Sequence, residues 1–420
     1  MELSEPLFRR EHARLIAALT RIFGVHNLPL AEDVVQDAFC RALEIWKVRG
    51  VPDNPAAWLM AVAKHRALDV VRREQTARTF APEYGRMLES EWTLVPALDE
   101  AFRLSAIQDE QLRMMFTCCH PQLPEEAQIA LVLNILCGFG ASEIASAFLA
   151  SRAAIEKRIA RGKKMLAASP RLFDLADSDC RARLSTVERA LYLLFNEGYH
   201  GTDTTVRGDL CHEAIRLGSL LLEAPRTALP ETFALVALMC LQAARLPARL
   251  DAAGDLTPLL EQERSRWDPQ LIEHGLSLLD RSATGDVLTP YHLEAAIAAA
   301  HATARSVDDT DWRQIVELYD HLMEAAPSPV IALSRAIAVG QRDGPRAGLD
   351  ALASIDETDR LGRYPFYPAA IGEMQRRLGD VDAATRNFSA AAAIARNAAE
   401  RRFLERRVSE CSAATKTTPP

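Results

Sequence analysis

Apolar residues recur three and four positions apart along most of the chain, the spacing that lines one face of a helix. Residues 4–75 predict three or four helices. One spans Asp33 to Trp46, with Val34, Val35, Ala38, Phe39, Ala42, Leu43 and Ile45 clustered at helical spacing. The loop KVRGVPDNP follows, and its Asn54-Pro55 suits an N-cap and a first-turn proline. The next helix runs from Ala56 to about Glu74. Residues 76–105, with Pro82, Pro96 and several acids, predict a linker. A second helical unit covers 106–168. Leu123-Pro124-Glu125-Glu126 opens its main helix, with acids suited to the first turn, and Gly138 and Gly140 end it. Residues 141–166, ASEIASAFLASRAAIEKRIARGKKML, form two short helical patterns around a tight turn. With Ala and Leu abundant and β-branched runs short, the predicted fold class is all-α.

From about Ser185 the pattern is helical again. Gly379, Ala384, Phe388 and Ala391 fall at a spacing that lets two antiparallel helices meet at small residues and lock on an aromatic, as in a tetratricopeptide hairpin. Gly344 before an Ala/Leu-rich helix is a weaker echo, and a generic helical bundle stands beside this reading. Asp308, Asp309 and Asp311 before Trp312 suit a helix N-terminus, as does Ser328-Pro329; a cation site at the three aspartates is the lesser reading. The tail SAATKTTPP is expected to be disordered.

Charge narrows the partners. The 420 residues carry a net charge of −8, yet residues 1–170 balance 21 Lys+Arg against 21 Asp+Glu, so the excess acid lies beyond them. Affinity for nucleic acid is therefore confined to local patches in the first part. The patch is the second helical pattern of 141–166: Arg152, Lys157, Arg158, Arg161, Lys163 and Lys164 against the single acid Glu156. A compact helix pair with a cationic second helix fits a DNA major groove. Ile144, Ala145, Phe148 and Ile155 would pack the pair together, and Ser151 would cap its second helix. Leu149 stands in the turn where glycine is usual, and a leucine at positive φ would be strained.

The eight cysteines (Cys40, Cys118, Cys119, Cys137, Cys180, Cys211, Cys240, Cys411) form no CxxC pair, which predicts a reduced chain without disulfides. The opening MELSEPLFRREHARL lacks the apolar core of a signal peptide. No apolar run is expected to approach the ~20 residues of a membrane helix. The expected compartment is the cytoplasm, with no membrane partner.

Two patterns stand in a fixed order: AEDVVQDAFCRALEIW, a loop and NPAAWLMAVAKHRALDVVRRE, then the helix-turn-helix at 141–166. Together they resemble regions 2 and 4 of bacterial sigma factors of the extracytoplasmic-function group. The resemblance covers 5–75 and 108–168, with a linker at 76–107. RMMFTCCHPQLP, ALYLLFNEGYHG and DDTDWRQIVELYDHLMEAAPSPV resemble a sigma subgroup with a long C-terminal helical extension, here 185–410.

The resemblance implies a sigma factor that binds core RNA polymerase, recognises −10 and −35 promoter elements and catalyses no covalent chemistry. Asp33, Gln36, Asp37 and Arg41, on the polar side of their helix, would dock on the β′ clamp by charge complementarity, and region 4 would meet the β flap. Lys64, His65, Arg66, Arg72 and Arg73 would contact the −10 single strand. Trp58, flanked by Ala57, Leu59 and Met60, is assigned to the core. Arg152, Glu156, Lys157, Arg158 and Arg161 would face −35 bases, and Lys163 and Lys164 its phosphates. The acidic extension is expected to act in cis by folding back on the sigma regions.

Other readings weigh less. Cys118-Cys119-His120 lacks the four-ligand spacing of zinc and reads as a buried structural cluster. Asn196 to His200 reads either as a ligand-pocket loop or as a helix end, with Gly198 terminating and Tyr199 packing. No metal or cofactor is expected. A helix-turn-helix regulator with a ligand-sensing helical domain is the alternative function; a hydrolase using Glu197 and His200 lacks a nucleophile–base pair.

Overall fold

The computed structural model describes residues 5–73, 104–120, 122–147, 150–168, 177–200, 207–356, 361–362 and 364–417. Most of the expected linker, and Phe148 and Leu149 of the helix-turn-helix, lie outside these residues. Among the described residues all named elements are helical, with one isolated bridge between Leu250 and Leu256. Two compact units divide the chain: residues 1–194 with 223–227, and residues 195–222 with 228–420.

The first unit contains α1 (Glu5–Phe23), α2 (Leu28–Arg49), α3 (Pro55–Arg73), α4 (Leu104–Cys118) and α5 (Glu125–Leu131). A π-helical turn, Val132–Leu136, continues α5, and α6 (Ala141–Ala147) and α7 (Arg152–Ala168) follow. The next helix, α8 (Asp177–His200), passes from the first unit into the second after Leu194. α2 starts five residues before the expected Asp33, because Pro29 occupies its first turn and fixes the φ a helix needs.

The organising element is α1. Ala13, Leu15, Ile16, Ala17, Ala18, Leu19, Ile22 and Phe23 are all buried, and a helix apolar on nearly every side needs partners on nearly every side. It packs against α2 and α3, and also against α4 and the π-helical turn. Polar contacts reinforce the second set. The Arg9 guanidinium lies 3.8 Å from the centre of the Phe139 ring and donates to Glu143 Oε1 at 2.7 Å. The buried Glu110 meets Arg21 at 3.5 Å and Arg113 at 3.4 Å. His12 abuts Gly138, where an added Cβ would stand 3.3 Å from Nδ1. Burial, with Lys163 nearby, pulls the His12 pKa down to about 4.

The second unit is a chain of neighbours: α9 (Gly208–Glu223), α10 (Pro230–Ala243), α11 (Pro269–Ser282), α12 (Pro290–Thr303), α13 (Trp312–Ala325), α14 (Pro329–Arg342), α15 (Pro345–Ala353), α16 (Phe366–Arg377), α17 (Val381–Ala393) and α18 (Ala398–Thr417). From α10 onward each helix packs on the next. Small cores succeed one another: Leu293, Ile315 and Leu322; then Leu333, Leu352 and Met374; then Ala384, Phe388 and Leu404. This is the geometry of stacked helical hairpins, in which each unit contacts mainly its neighbours. As expected, Gly379 turns the chain between α16 and α17 with φ +84°, and Ala384, Phe388 and Ala391 are buried. Gly340 and Gly348 bring α14 and α15 so close that a Cβ on Gly348 would stand 2.9 Å from the Gly340 Cα.

Local chemistry explains the starts of these helices. Asp311 accepts from the Gln314 N–H at 3.0 Å and Ser328 from the Val330 N–H at 3.3 Å, so both cap as expected. Three expectations are corrected. Gly198 does not end a helix: α8 continues through His200, and the missing side chain admits the backbone of Arg207 and Cys211. The stretch Pro230–Ala248 is long and apolar enough to cross a membrane, and it is mostly buried within its unit. The tail is helical through Thr417.

Two outcomes follow from this packing. Phe388→Ala, which empties the centre of the last core, is expected to cost about 3–5 kcal/mol in chemical denaturation followed by circular dichroism. His12 provides the second. Between pH 6.5 and about 4 the unfolded chain holds a proton at this imidazole that the folded chain refuses. Its contribution is present above 6.5 and is lost as the pH falls toward 4, by up to about 1.4 kcal/mol per pH unit. His12→Gln is expected to flatten that part of the stability profile, measured as denaturation midpoints across the range.

Candidate nucleic-acid interface

α2 presents two faces. Ala31, Val34, Val35, Ala38, Phe39, Ala42 and Trp46 are buried, while Asp33, Gln36, Asp37, Cys40 and Arg41 are exposed. The four residues expected to face a protein partner therefore share the solvent side of one helix. α3 begins as expected: Asn54 Oδ1 accepts the Ala57 N–H at 3.0 Å, with Pro55 as the first helical residue. Trp58 is half-buried and meets Trp46 edge-on at 5.2 Å, a packing role.

The polar side of α3 is partly committed. Arg66 donates through Nε to Asp37 at 2.8 Å, tying α3 to α2. Two residues assigned to different partners, one to single-stranded DNA and one to polymerase, thus hold each other. His65 is exposed and Lys64 half-buried. Arg72 and Arg73 end α3, and their side chains lie outside the described residues.

The helix-turn-helix is assembled by α6 and α7. Ser151 Oγ accepts the Ala154 N–H at 3.2 Å, capping α7, and Ile144, Ala145 and Ile155 are buried between the helices. Glu143 Oε2 accepts the Gly140 N–H at 2.7 Å at the start of α6. α7 rests on α5 at Gly162, where a Cβ would stand 2.7 Å from Leu131 Cδ1. Within the basic run this glycine is a packing residue, and only its contact with α5 reveals it.

The cations of α7 fall into two sets. Lys157, Arg161 and Lys164 are exposed, at a spacing that aligns them along one side. Arg152 and Glu156 are exposed and pair with each other at 2.7 Å, an ion pair of little energetic weight. Arg158 pairs with Glu126 at 2.5 Å, and Lys163 with Glu32 of α2. Glu32 and Glu143 were not among the residues singled out from the sequence, and Glu126 was read only as a first-turn acid; the partners of all three are long-range, and no local spacing announces those pairings.

The Cys118-Cys119-His120 segment is enclosed. Burial pushes the Cys118 thiol well up and the Cys119 thiol to about 12, so both remain protonated. His120 is lowered by burial and then by Arg183. The described residues contain no set of three His, Cys, Asp or Glu groups arranged to hold a metal ion.

Known proteins account for this arrangement. Residues 7–77 match the family model for sigma-70 region 2, residues 113–166 that for sigma-70 region 4, and residues 183–283 a family of unknown function (DUF6596). The chain is 40% identical over 403 residues to the uncharacterized protein R00370 of Rhizobium meliloti (strain 1021), covering 95% of this chain and 93% of that protein. It is 26% identical over 160 residues to the ECF RNA polymerase sigma factor SigK of Mycobacterium sp. (strain KMS), covering 37% of this chain and 77% of SigK. It is 24% identical over 160 residues to the ECF RNA polymerase sigma factor SigX of Bacillus subtilis (strain 168), covering 37% and 79%. Two sigma modules in the expected order, followed by a helical extension of their own length and more, place the chain in the sigma-70 family as an ECF-like sigma factor with a C-terminal extension.

Proposed function

We propose that this sigma factor docks on core RNA polymerase through the exposed face of α2, reads the −10 element with α3 and its preceding loop, and reads the −35 element with α7. The supporting observation is the division of labour on α7: apolar residues face α5 and α6, while Lys157, Arg161 and Lys164 form a solvent-facing cationic row. Arg161 is suited to bidentate pairing with guanine, and the lysines to phosphates. Asp33, Gln36, Asp37 and Arg41 would meet basic and polar groups of the β′ clamp, and region 4 the β flap. Sigma factors generally act without covalent chemistry, and we assign none to this chain. The C-terminal unit would modulate initiation in cis.

The closed first unit limits how this works. The two elements are about 25 base pairs apart, roughly 85 Å of duplex at 3.4 Å per pair. A compact body of this length has a radius of gyration of about 16 Å. α3 and α7 held within one such body do not reach both elements together. Engaging polymerase and promoter therefore requires the α1 contacts with α4 and Phe139 to open, and the Lys163–Glu32 pair to break. Tethering both modules to polymerase would then raise their effective concentration on DNA.

Copurification with core polymerase and run-off transcription from a promoter library test the main assignment; a chain that neither joins core enzyme nor yields a discrete start refutes it. Lys157→Ala and Lys164→Ala are each expected to reduce the salt slope of promoter binding by holoenzyme by about 1, read from fluorescence anisotropy across a salt series, whereas Arg161→Ala is expected to relax discrimination at one −35 base pair by about 1–3 kcal/mol. For the opening, Glu32→Cys and Lys163→Cys in a Cys40→Ser background are joined by a short bis-maleimide. The tethered protein is expected to lose at least about tenfold of its run-off activity, while each singly labelled variant retains more. Equal activity of the tethered and singly labelled proteins removes the opening step.

A further inference from the structure

The second unit gathers guanidinium groups that promoter recognition does not use. Arg245 and Arg249 flank a single 3-10 turn, Leu246–Ala248, and Arg264 opens another, Arg264–Arg266. The Arg249 guanidinium carbon lies 4.0 Å from the centre of the Tyr199 ring, and that of Arg245 lies 6.0 Å from the same centre. Arg245 and Arg264 also share Trp267, at 5.6 and 5.2 Å. Three cations thus converge on two aromatic rings.

Their hydrogen bonding is unequal. Arg264 donates to the carbonyls of His301 at 2.7 Å and Ala304 at 2.6 Å, and to Thr310 Oγ1 at 2.8 Å, closing the C-terminal end of α12. That is a structural role. Arg245 has one side-chain bond, from Nε to Gln262 Oε1 at 3.3 Å. Arg249 has none among the described residues, and its Nε is enclosed without a partner. The Trp267 indole N–H and His301 Nδ1 are likewise unpartnered, in residues only 4% and 7% exposed.

The electrostatics are uncompensated. Among the described residues no carboxylate forms an ion pair with Arg245, Arg249 or Arg264. Asp309 acts on Arg264 at a distance while accepting from the Ser306 hydroxyl. Burial lowers Arg245 and Arg264 below the usual guanidinium range, and each is further lowered by a neighbouring arginine. Burial, then Arg245 and Arg264, brings His301 down to about 3, so this imidazole is neutral. Enclosed charges are ordinarily paired, and a planar guanidinium fork with free donors matches an oxyanion.

We propose that Arg245 and Arg249, backed by the Trp267 indole and His301, form a binding site for the phosphate or carboxylate group of a small molecule. Arg249 contributes the free fork and Arg245 the deeper charge. Tyr199 meets both guanidiniums by cation–π contact, Arg249 the more closely. Arg264 anchors the end of α12, which carries His301. The site lies wholly within the second unit and stands apart from promoter recognition.

Isothermal titration of the full-length chain tests it, with inorganic phosphate and with succinate at ionic strength held constant by sodium chloride. Saturable binding of either anion, with a rise in melting temperature, is expected; the anion that binds identifies the group. Arg249→Gln is expected to weaken that binding by about tenfold or more while melting like the parent without anion. Arg249→Lys, which keeps the charge and loses the fork, is expected to fall between them and serves as the folded comparison if Arg249→Gln is unstable. Absence of saturable binding of both anions overturns the site. So does undiminished binding in both Arg249 variants, or an Arg245→Gln variant whose only effect is a lower melting temperature. None of these measurements involves polymerase, so failure here leaves the sigma assignment intact.

Discussion

One helix cannot be satisfied by either sigma module alone. α1 is apolar on nearly all sides, and it buries part of that surface on α2 and α3 and part on α4 and the π-helical turn. The second set of contacts makes regions 2 and 4 one body. Exposing that half of α1 to water would cost roughly 25 cal/mol per Å² of apolar surface. Any state in which the modules part must therefore offer α1 another surface or repay its exposure through new contacts. Charge pairs between the halves, Arg9 with Glu143 and Lys163 with Glu32, fix the register of the closed form more than they hold it shut.

Local order was legible in the chain because its signals are local. Asn54-Pro55, Ser151, Asp311 and Ser328-Pro329 act within a turn of where they stand, and each caps or opens the helix it was read to open. The buried stripes of α2 and α7 follow from spacing alone. What escaped detection is long-range. Glu32 and Lys163 are 131 positions apart, Arg9 and Glu143 134. The start of α2 at Leu28, ahead of the expected Asp33, was by contrast a local miss: Pro29 sits in its first turn and opens the helix. Gly162 was hidden among cations, and its meaning depends on Leu131 across the helix pair.

The same limit applies to the second unit. Arg245, Arg249 and Arg264 are scattered through turns with no helical period, and nothing in their spacing announces the shared faces of Tyr199 and Trp267. Gly198 offered a reading as a stop, the usual role of glycine after a polar run; the structure uses it as a gap instead, letting the next segment lie against α8. The long apolar stretch of α10 is explained by its neighbours, since α11 and α12 both pack on it and a helix enclosed from several directions carries no polar face.

The wide turn at Val132–Leu136 has a geometric consequence for this coupling. Its Cys137 N–H bonds the Val132 carbonyl at 3.2 Å, one residue beyond α-helical reach. Such a turn accommodates a surplus residue, and each residue of an α-helix advances the azimuth by about 100°. Upstream, Leu131 is aimed at Gly162 of α7; downstream, Phe139 is aimed at Arg9 of α1. The surplus residue is a phase shifter that lets one short rod address two partners in different directions. Deleting it would restore regular winding and swing the aromatic away from the cation, decoupling the modules without touching Lys64 and His65 of α3 or the exposed cations of α7.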